Sequence, residues 1–186
     1  MKNIFIGFIF LFLNLDINLG ELKIGLLPDF VGYIIMLNGL IELEEKSPLF
    51  MEAKSYTKGM AFFSGILYFI VIMNFSASLG PLSYILMFPS TIVSLYISYK
   101  IILGVLDIEK TYSVMLRGTQ LKSTWTILAV LDVLVLLTSY ITGLALLFIL
   151  CTFVVTICFL VDFNKSKNLY YAAFENNDDT SHIEAL

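Results

Sequence analysis

The chain is 186 residues long, 59% hydrophobic and 14% charged, with a mean hydropathy of +0.90, against about 45–50% apolar and about 25% charged in ordinary soluble domains. That balance excludes a disordered chain, a coiled coil, a disulfide scaffold and a nucleic-acid-binding domain, and leaves a compact multi-spanning membrane protein with little mass outside the lipid. The net charge of −4 has a local source, because Glu175, Asp178, Asp179 and Glu184 sit in a C-terminal stretch without Lys or Arg, so it does not argue for a cationic substrate.

Apolar runs of about 20 residues predict transmembrane helices, and six are expected, an all-α bundle. The first covers about 3–19. Met1-Lys2 followed by an apolar run mimics a signal peptide, but Asn14, Asp16 and Asn18 stand where a small-x-small cleavage site belongs, so the helix is expected to be retained. The second covers about 28–45. Pro28 suits the first helical position, where its missing N–H is no loss, and Asp29 complements the positive end of the helix dipole. Ser47-Pro48 reads as a stop, or as the cap and first turn of a short interfacial helix through Lys54. The third span covers about 58–77 and closes on the turn signal of residues 76–81. The fourth covers about 82–105, where Pro89 removes a helix hydrogen bond and predicts a kink.

Residues 106–123 are the longest polar interval between spans. They read either as a segment lying on the membrane surface, with Ile108, Tyr112, Met115 and Leu116 on one face, or as an extension of the fourth helix into water until Gly118. The fifth span covers about 124–141, with Trp125 and Tyr140 placed for the two aromatic belts. The sixth covers about 143–163. Residues 1–166 thus form the transmembrane domain, and 167–186 a polar, acidic cytoplasmic tail whose end is expected to be disordered.

Six spans put both termini on one side. Lys2, Lys46, Lys54, Lys58, Lys100, Lys110, Arg117, Lys122, Lys165 and Lys167 then share that side, and Lys23 alone lies on the other. Basic residues accumulate on the cytoplasmic side. The expectation is therefore a multi-pass protein of the cell membrane with both termini cytoplasmic.

Chemistry is sparse. No His-Glu-x-x-His, Gly-x-Ser-x-Gly, Cys-x-x-Cys or Gly-rich phosphate loop occurs. Cys151 and Cys158, seven residues apart, would lie about 10.5 Å apart along a helix, too far for a disulfide. With His182 alone in the tail, no metal, cofactor or catalytic residue is expected, and the protein is not expected to be an enzyme.

Polar groups inside lipid are the better signal, since an ionisable residue there faces protein or water. Asp132, mid-way along the fifth span, reads as a cation or proton site, or as a carboxyl that holds helices together. Asn38 and Asn74, in the second and third spans, read as amides bridging helices. Asp16 and Asp29 flank the first exterior connection and could converge on a polar ligand, or simply cap helices and bind interfacial water. Gly32, Gly39, Gly59 and Gly65 offer small surfaces for close helix packing, with no Gly-x-x-x-Gly pair among them.

The stretch Leu26-Leu27-Pro28-Asp29-Phe30-Val31-Gly32-Tyr33-Ile34-Ile35, followed by Gly39-Leu40 and Ser47-Pro48-Leu49-Phe50, resembles small multi-spanning membrane proteins of Gram-positive bacteria that have no assigned activity. The resemblance implies a structural motif carried by Pro28, Asp29, Gly32 and Tyr33. Six helices in this length are also similar, in size and topology only, to the substrate-binding subunits of energy-coupling-factor vitamin transporters, although the first span lacks a small-x-x-x-small docking surface. The function expected is an accessory or interaction subunit. Its partners would be the bilayer and another membrane protein or a second copy, with no nucleic acid. The alternative is a small-solute binding or transport protein that uses Asp132, Asn38 and Asn74 inside and Asp16 and Asp29 at the outer mouth.

Overall fold

The computed structural model describes residues 1–12, 16–19, 22–25, 28–73, 81–138 and 142–183, with side chains described over 1–12, 28–70, 72–73, 88–138 and 143–174. Six helices follow one another: α1 Lys2–Phe12, α2 Asp29–Leu43, α3 Pro48–Ile72, α4 Pro81–Thr111, α5 Gly118–Thr138 and α6 Thr142–Ile183. Between α1 and α2, strands β1 Asp16–Leu19 and β2 Leu22–Gly25 pair antiparallel, Asp16 opposite Gly25 and Asn18 opposite Lys23. Lys2–Ile101 form one compact unit, and Ile102–Leu186 with Met1 a second.

Local chemistry sets the helix ends. Pro28, with φ −62° and ψ 127°, sits just outside α2 as its N-cap, one residue earlier than the helical place expected for it, and Asp29 opens the first turn. Ser47 caps α3, its Oγ accepting from the Leu49 N–H at 3.3 Å. The helix that this cap begins is not a short interfacial piece, because it runs unbroken to Ile72. Residues 106–123 follow the second of the two expected courses only in part, because the helix ends short of 118 and a turn over 112–117 follows. α4 continues to Thr111, and α5 starts at Gly118.

In the Lys2–Ile101 unit, consecutive helices pack antiparallel. α1 and α2 touch backbone to backbone. A Cβ built on Gly7 would lie 2.7 Å from Met36 Cβ and 2.9 Å from the Gly32 carbonyl oxygen. On the facing helix, a Cβ on Gly32 would meet Phe10 Cβ at 2.8 Å, and one on Gly39 the Ile4 backbone N at 2.7 Å. Lipid is as apolar as a leucine side chain, so helices in it associate largely by such close approach. Asn3 donates to Glu42 at 2.5 Å across the same pair. Glu44, the C-cap of α2, is bridged to Lys54 of α3, and Glu52 of α3 to Lys100 of α4 at 2.5 Å. Lys100 also lies over the Tyr96 ring, 5.4 Å from its centre. The start of α1, the end of α2, the start of α3 and this stretch of α4 therefore share one charged end, with Ile4, Phe8, Met36, Leu40, Phe50 and Ile101 buried beside it.

In the second unit, Asp162 of α6 accepts from Thr124 Oγ1 at 2.9 Å and Gln120 Nε2 at 3.3 Å, both on α5. The α4–α5 connection is a built turn. Ser113 and Arg117 take left-handed φ values of 53° and 59°, and the Gly118 N–H, first of α5, donates to Glu109 Oε2 at 2.8 Å. That satisfies one of the orphan donors at a helix start. Glu109→Ala is expected to cost about 1 kcal/mol, as loss of a cap does, lowering the midpoint of a thermal melt in detergent while Glu109→Gln keeps most of it.

Three helical stretches are long and apolar enough to cross a membrane among the described residues: 88–111, 118–138 and 143–174. Six full spans were expected, and the first three helices account for the difference. α1 has 11 residues and α2 has 15, about 16 and 22 Å at 1.5 Å per residue, against roughly 30 Å of hydrocarbon. α3 devotes its first turns to polar residues. The expected 3–19 helix stops at Phe12 and gives way to β1. The polar tail expected from 167 continues α6 as helix to Ile183. Tyr170 there is buried, and the Phe174 ring lies edge-on to Tyr112, 5.3 Å between centres.

Candidate functional site

Among the described residues, Asp132 is the one predicted binding residue that stands in a helix apolar enough to cross a membrane. Ala129-Val130-Leu131 and Val133-Leu134-Val135 flank it. It is half-buried, and no hydrogen bond or ion pair reaches it among the described residues. The Thr124–Asp162 contact sets the antiparallel register of α5 and α6. Eight residues along α5 from Thr124 is Asp132, and eight back along α6 from Asp162 is Val154, flanked by Thr152 and Thr156. Thr156 is buried. The Thr152 hydroxyl is buried too, without a hydrogen-bond partner among the described residues. By that register Asp132 stands level with the turn of α6 that carries Thr152 and Thr156.

The other predicted residues do not join it. Asn38 lies on α2 next to Gly39 but is exposed, while Gly39 faces α1. Asp29 opens α2 half-buried, about 13 Å along the axis from Asn38. Asp16 is the first residue of β1, and its side chain lies outside the described residues, as does the whole of Asn74. Pro89 lies within α4 and is exposed. Cys151 and Cys158 are free and exposed on α6.

The Pro28–Tyr33 motif is an assembly point, because its residues face different neighbours. Phe30 packs on Tyr68 of α3, ring centres 5.4 Å apart. Gly32 admits Phe10 of α1. The Tyr33 hydroxyl, on a ring only 3% exposed, hydrogen-bonds with that of Ser94 on α4. Asp29, one turn before Tyr33, places its charge beside that phenol.

Sequence reasoning passed over Gly7, Glu109, Thr152 and Asp162. Gly7 was one glycine in an apolar run. Asp162 and Glu109 stood unremarked among polar residues near span ends, although each accepts from a donor on the neighbouring helix. No family model, curated protein or solved structure matches the chain.

Proposed function

We propose that this chain is an accessory or interaction subunit: a multi-pass protein of the bacterial cell membrane, six helical segments with both termini cytoplasmic, and no catalysis of its own. The observation that carries this reading is the uncovered apolar surface of its spanning helices. Only 11% of the α5 stretch and 22% of the α6 stretch is buried within the chain. Ile127, Val130, Val133 and Leu137 of α5 and Leu146, Leu150, Phe153 and Val154 of α6 all face outward. Lipid suits those side chains, and so does the flank of another membrane protein. A solute pathway needs polar groups converging within one enclosure, whereas Asn38 is exposed and Asp132 stands on a sparsely covered hairpin.

Two further features support the topology. Met1 belongs with the Ile102–Leu186 unit, its amino group donating to the Tyr171 hydroxyl at 3.5 Å, as termini on one side of the membrane require. Lys110, Arg117 and Lys122 cluster about the α4–α5 turn, Lys165 and Lys167 at the facing stretch of α6.

Native mass spectrometry of the tagged protein, gently extracted from its own membrane, tests the reading. A second protein in fixed stoichiometry is the expected result. A bare chain carrying a small-molecule mass would replace it with solute binding. Reversing the charges of Lys110, Arg117 and Lys122 is expected to reduce that co-purification severalfold at unchanged expression. Truncation is a cleaner test after Phe174 than after Lys167, because Tyr170 and Phe174 are packed parts of α6.

A further inference from the structure

We infer that the outward face of α5 binds an anionic phospholipid of the cytoplasmic leaflet: Lys122 takes the headgroup phosphate, with the hydroxyls of Thr119 and Ser123 beside it, and an acyl chain lies along Val130, Val133 and Leu137. The inference takes from the accessory reading only its topology, which puts the start of α5 at the cytoplasmic surface.

α5 runs unbroken from Gly118 to Thr138. Thr119, Ser123, Thr126, Val130, Val133 and Leu137 recur along it at alternating spacings of four and three, so they form one helix face, with Lys122 at its edge. All of these residues are exposed, Val130 55%, Val133 45% and Leu137 67%. The opposite side is turned to the protein. Leu121 and Leu128 there are buried, and Thr124 is joined to Asp162 of α6. Asp132, the one carboxylate of α5, falls on that inner side, four residues on from Leu128.

The outward face changes chemistry at one depth. Its first turns carry an ammonium and three hydroxyls, and beyond Thr126 it is apolar. Thr126 Oγ1 donates to the Lys122 carbonyl at 2.8 Å, within the helix, which leaves the polar contact to Lys122, Thr119 and Ser123. From Thr126 to Leu137 is eleven residues, about 16 Å of helix, against roughly 15 Å of hydrocarbon in one leaflet, half of about 30 Å. Trp125, in the turn that joins the two parts, is the residue type that lodges at headgroup level.

The sign of the charge selects the lipid. The nearby carboxylates turn inward, Glu109 to the Gly118 N–H at 2.8 Å and Asp162 to Thr124 at 2.9 Å. Lys122 is exposed, as is Lys110 across the α4–α5 turn. A lysine is a point charge that suits phosphate, and each one near the surface strengthens binding to anionic lipid. α6 keeps an outward face of its own for a protein neighbour, with Leu146, Leu150 and Phe153.

Trp125 is the single tryptophan of the chain, so its fluorescence reads the lipid at this level of α5. The full chain is reconstituted in phosphatidylcholine vesicles, and a rising fraction of the lipid is replaced by phosphatidylglycerol or by phosphatidylethanolamine. The replacing lipid carries brominated acyl chains, which quench tryptophan on contact. Phosphatidylglycerol is expected to bind about fivefold more tightly than phosphatidylethanolamine, and salt should weaken the preference. Lys122→Gln should remove it, Lys122→Glu should reverse it, and Lys58→Gln, at an exposed lysine of α3, should leave it intact. Circular dichroism establishes that the variants are folded. Equal quenching by the two lipids in the unaltered chain overturns the inference, and so does a preference that survives Lys122→Gln. A preference that Lys58→Gln also removes overturns it in favour of a general attraction between a basic surface and the bilayer. Quenching by neither lipid overturns it too, and assigns the face to another protein or a second copy. The native mass measurement reports separately on the accessory reading. A partner in fixed stoichiometry there, with no phosphatidylglycerol preference here, removes the lipid site and leaves that reading standing.

Discussion

Replacing Gly7 with alanine is expected to loosen α1 from α2 and lower the thermal midpoint, while the same replacement at Gly59 leaves it unchanged or raises it. Both glycines lie inside helices. In a helix interior alanine is favoured over glycine by about 1 kcal/mol, so propensity alone predicts a gain at both. Packing separates them. At Gly59 the added methyl meets nothing within 4 Å. At Gly7 it meets Met36 Cβ at 2.7 Å, the Gly32 carbonyl oxygen at 2.9 Å and Met36 Cα at 3.1 Å. These atoms belong to, or adjoin, the backbone of α2 and cannot swing aside as a side-chain tip does. The helices must part, which as overpacking costs about 1–3 kcal/mol. The loss then spreads along the seam, because Gly32 and Gly39 hold the same separation elsewhere along it. Gly39→Ala should behave like Gly7→Ala, its methyl meeting the Ile4 backbone N. Gly65→Ala should be tolerated, with Phe30 Cβ at 3.8 Å. A fluorescence-monitored melt of the four variants orders them. Equal midpoints for Gly7→Ala and Gly59→Ala would mean that the α1–α2 contact is looser than the structure shows.

That seam illustrates what is legible in this sequence and what is not. Helix starts were readable because single residues set them: Pro28-Asp29 for α2 and Ser47-Pro48 for α3. The seam was not, because it is a relation between two helices. Gly32 and Gly39, seven residues apart on one face of α2, did read as small packing surfaces, but a lone Gly7 has no period to mark it as their counterpart. The end of α1 carried a signal that hydropathy averaging hides. Asn14-Leu15-Asp16-Ile17-Asn18-Leu19 alternates polar and apolar, the period of a strand, and β1 begins at Asp16. Beyond residue 166 the polar composition read as a tail outside the membrane, disordered at its end. Phe159, Phe163, Ser166 and Tyr170 nevertheless recur at helical spacing, all four are buried, and α6 continues through them. Asp132 was conspicuous as a carboxyl in an apolar run. That it has no hydrogen bond or ion pair among the described residues, and lies level with Thr152, required the register of α5 against α6.

Cysteine labelling of intact cells is expected to give an all-or-none pattern. A cysteine replacing Ser113 should resist a membrane-impermeant maleimide until the cells are opened, and one replacing Ser78 or Lys23 should react at once. Cys151 and Cys158, exposed on α6 within its apolar stretch, are first replaced by alanine. Ser113 lies in the α4–α5 turn between Lys110 and Arg117, in left-handed conformation and exposed. Ser78 falls outside the described residues, in the interval between α3 and α4, and Lys23 is a residue of β2. The pattern has an electrostatic origin. Translocating a lysine or arginine is disfavoured, and the bias is read over the short loops that flank spans. Asn3 with Glu42, Lys54 with Glu44 and Lys100 with Glu52 gather the helix ends of the first unit at one charged end. Glu109, Asp162 and Lys165 lie at one charged end of the second. Inverting the protein would carry ten basic residues across to retain one. Labelling at Lys23 also decides how the two short helices sit. Reaction from outside means that α1, β1, β2 and α2 together cross the bilayer, the strands extending helices of 11 and 15 residues. Protection at Lys23 with reaction at Ser78 would make α1 and α2 a hairpin that enters from the cytoplasmic face and returns, and would reduce the crossing helices to the four that follow.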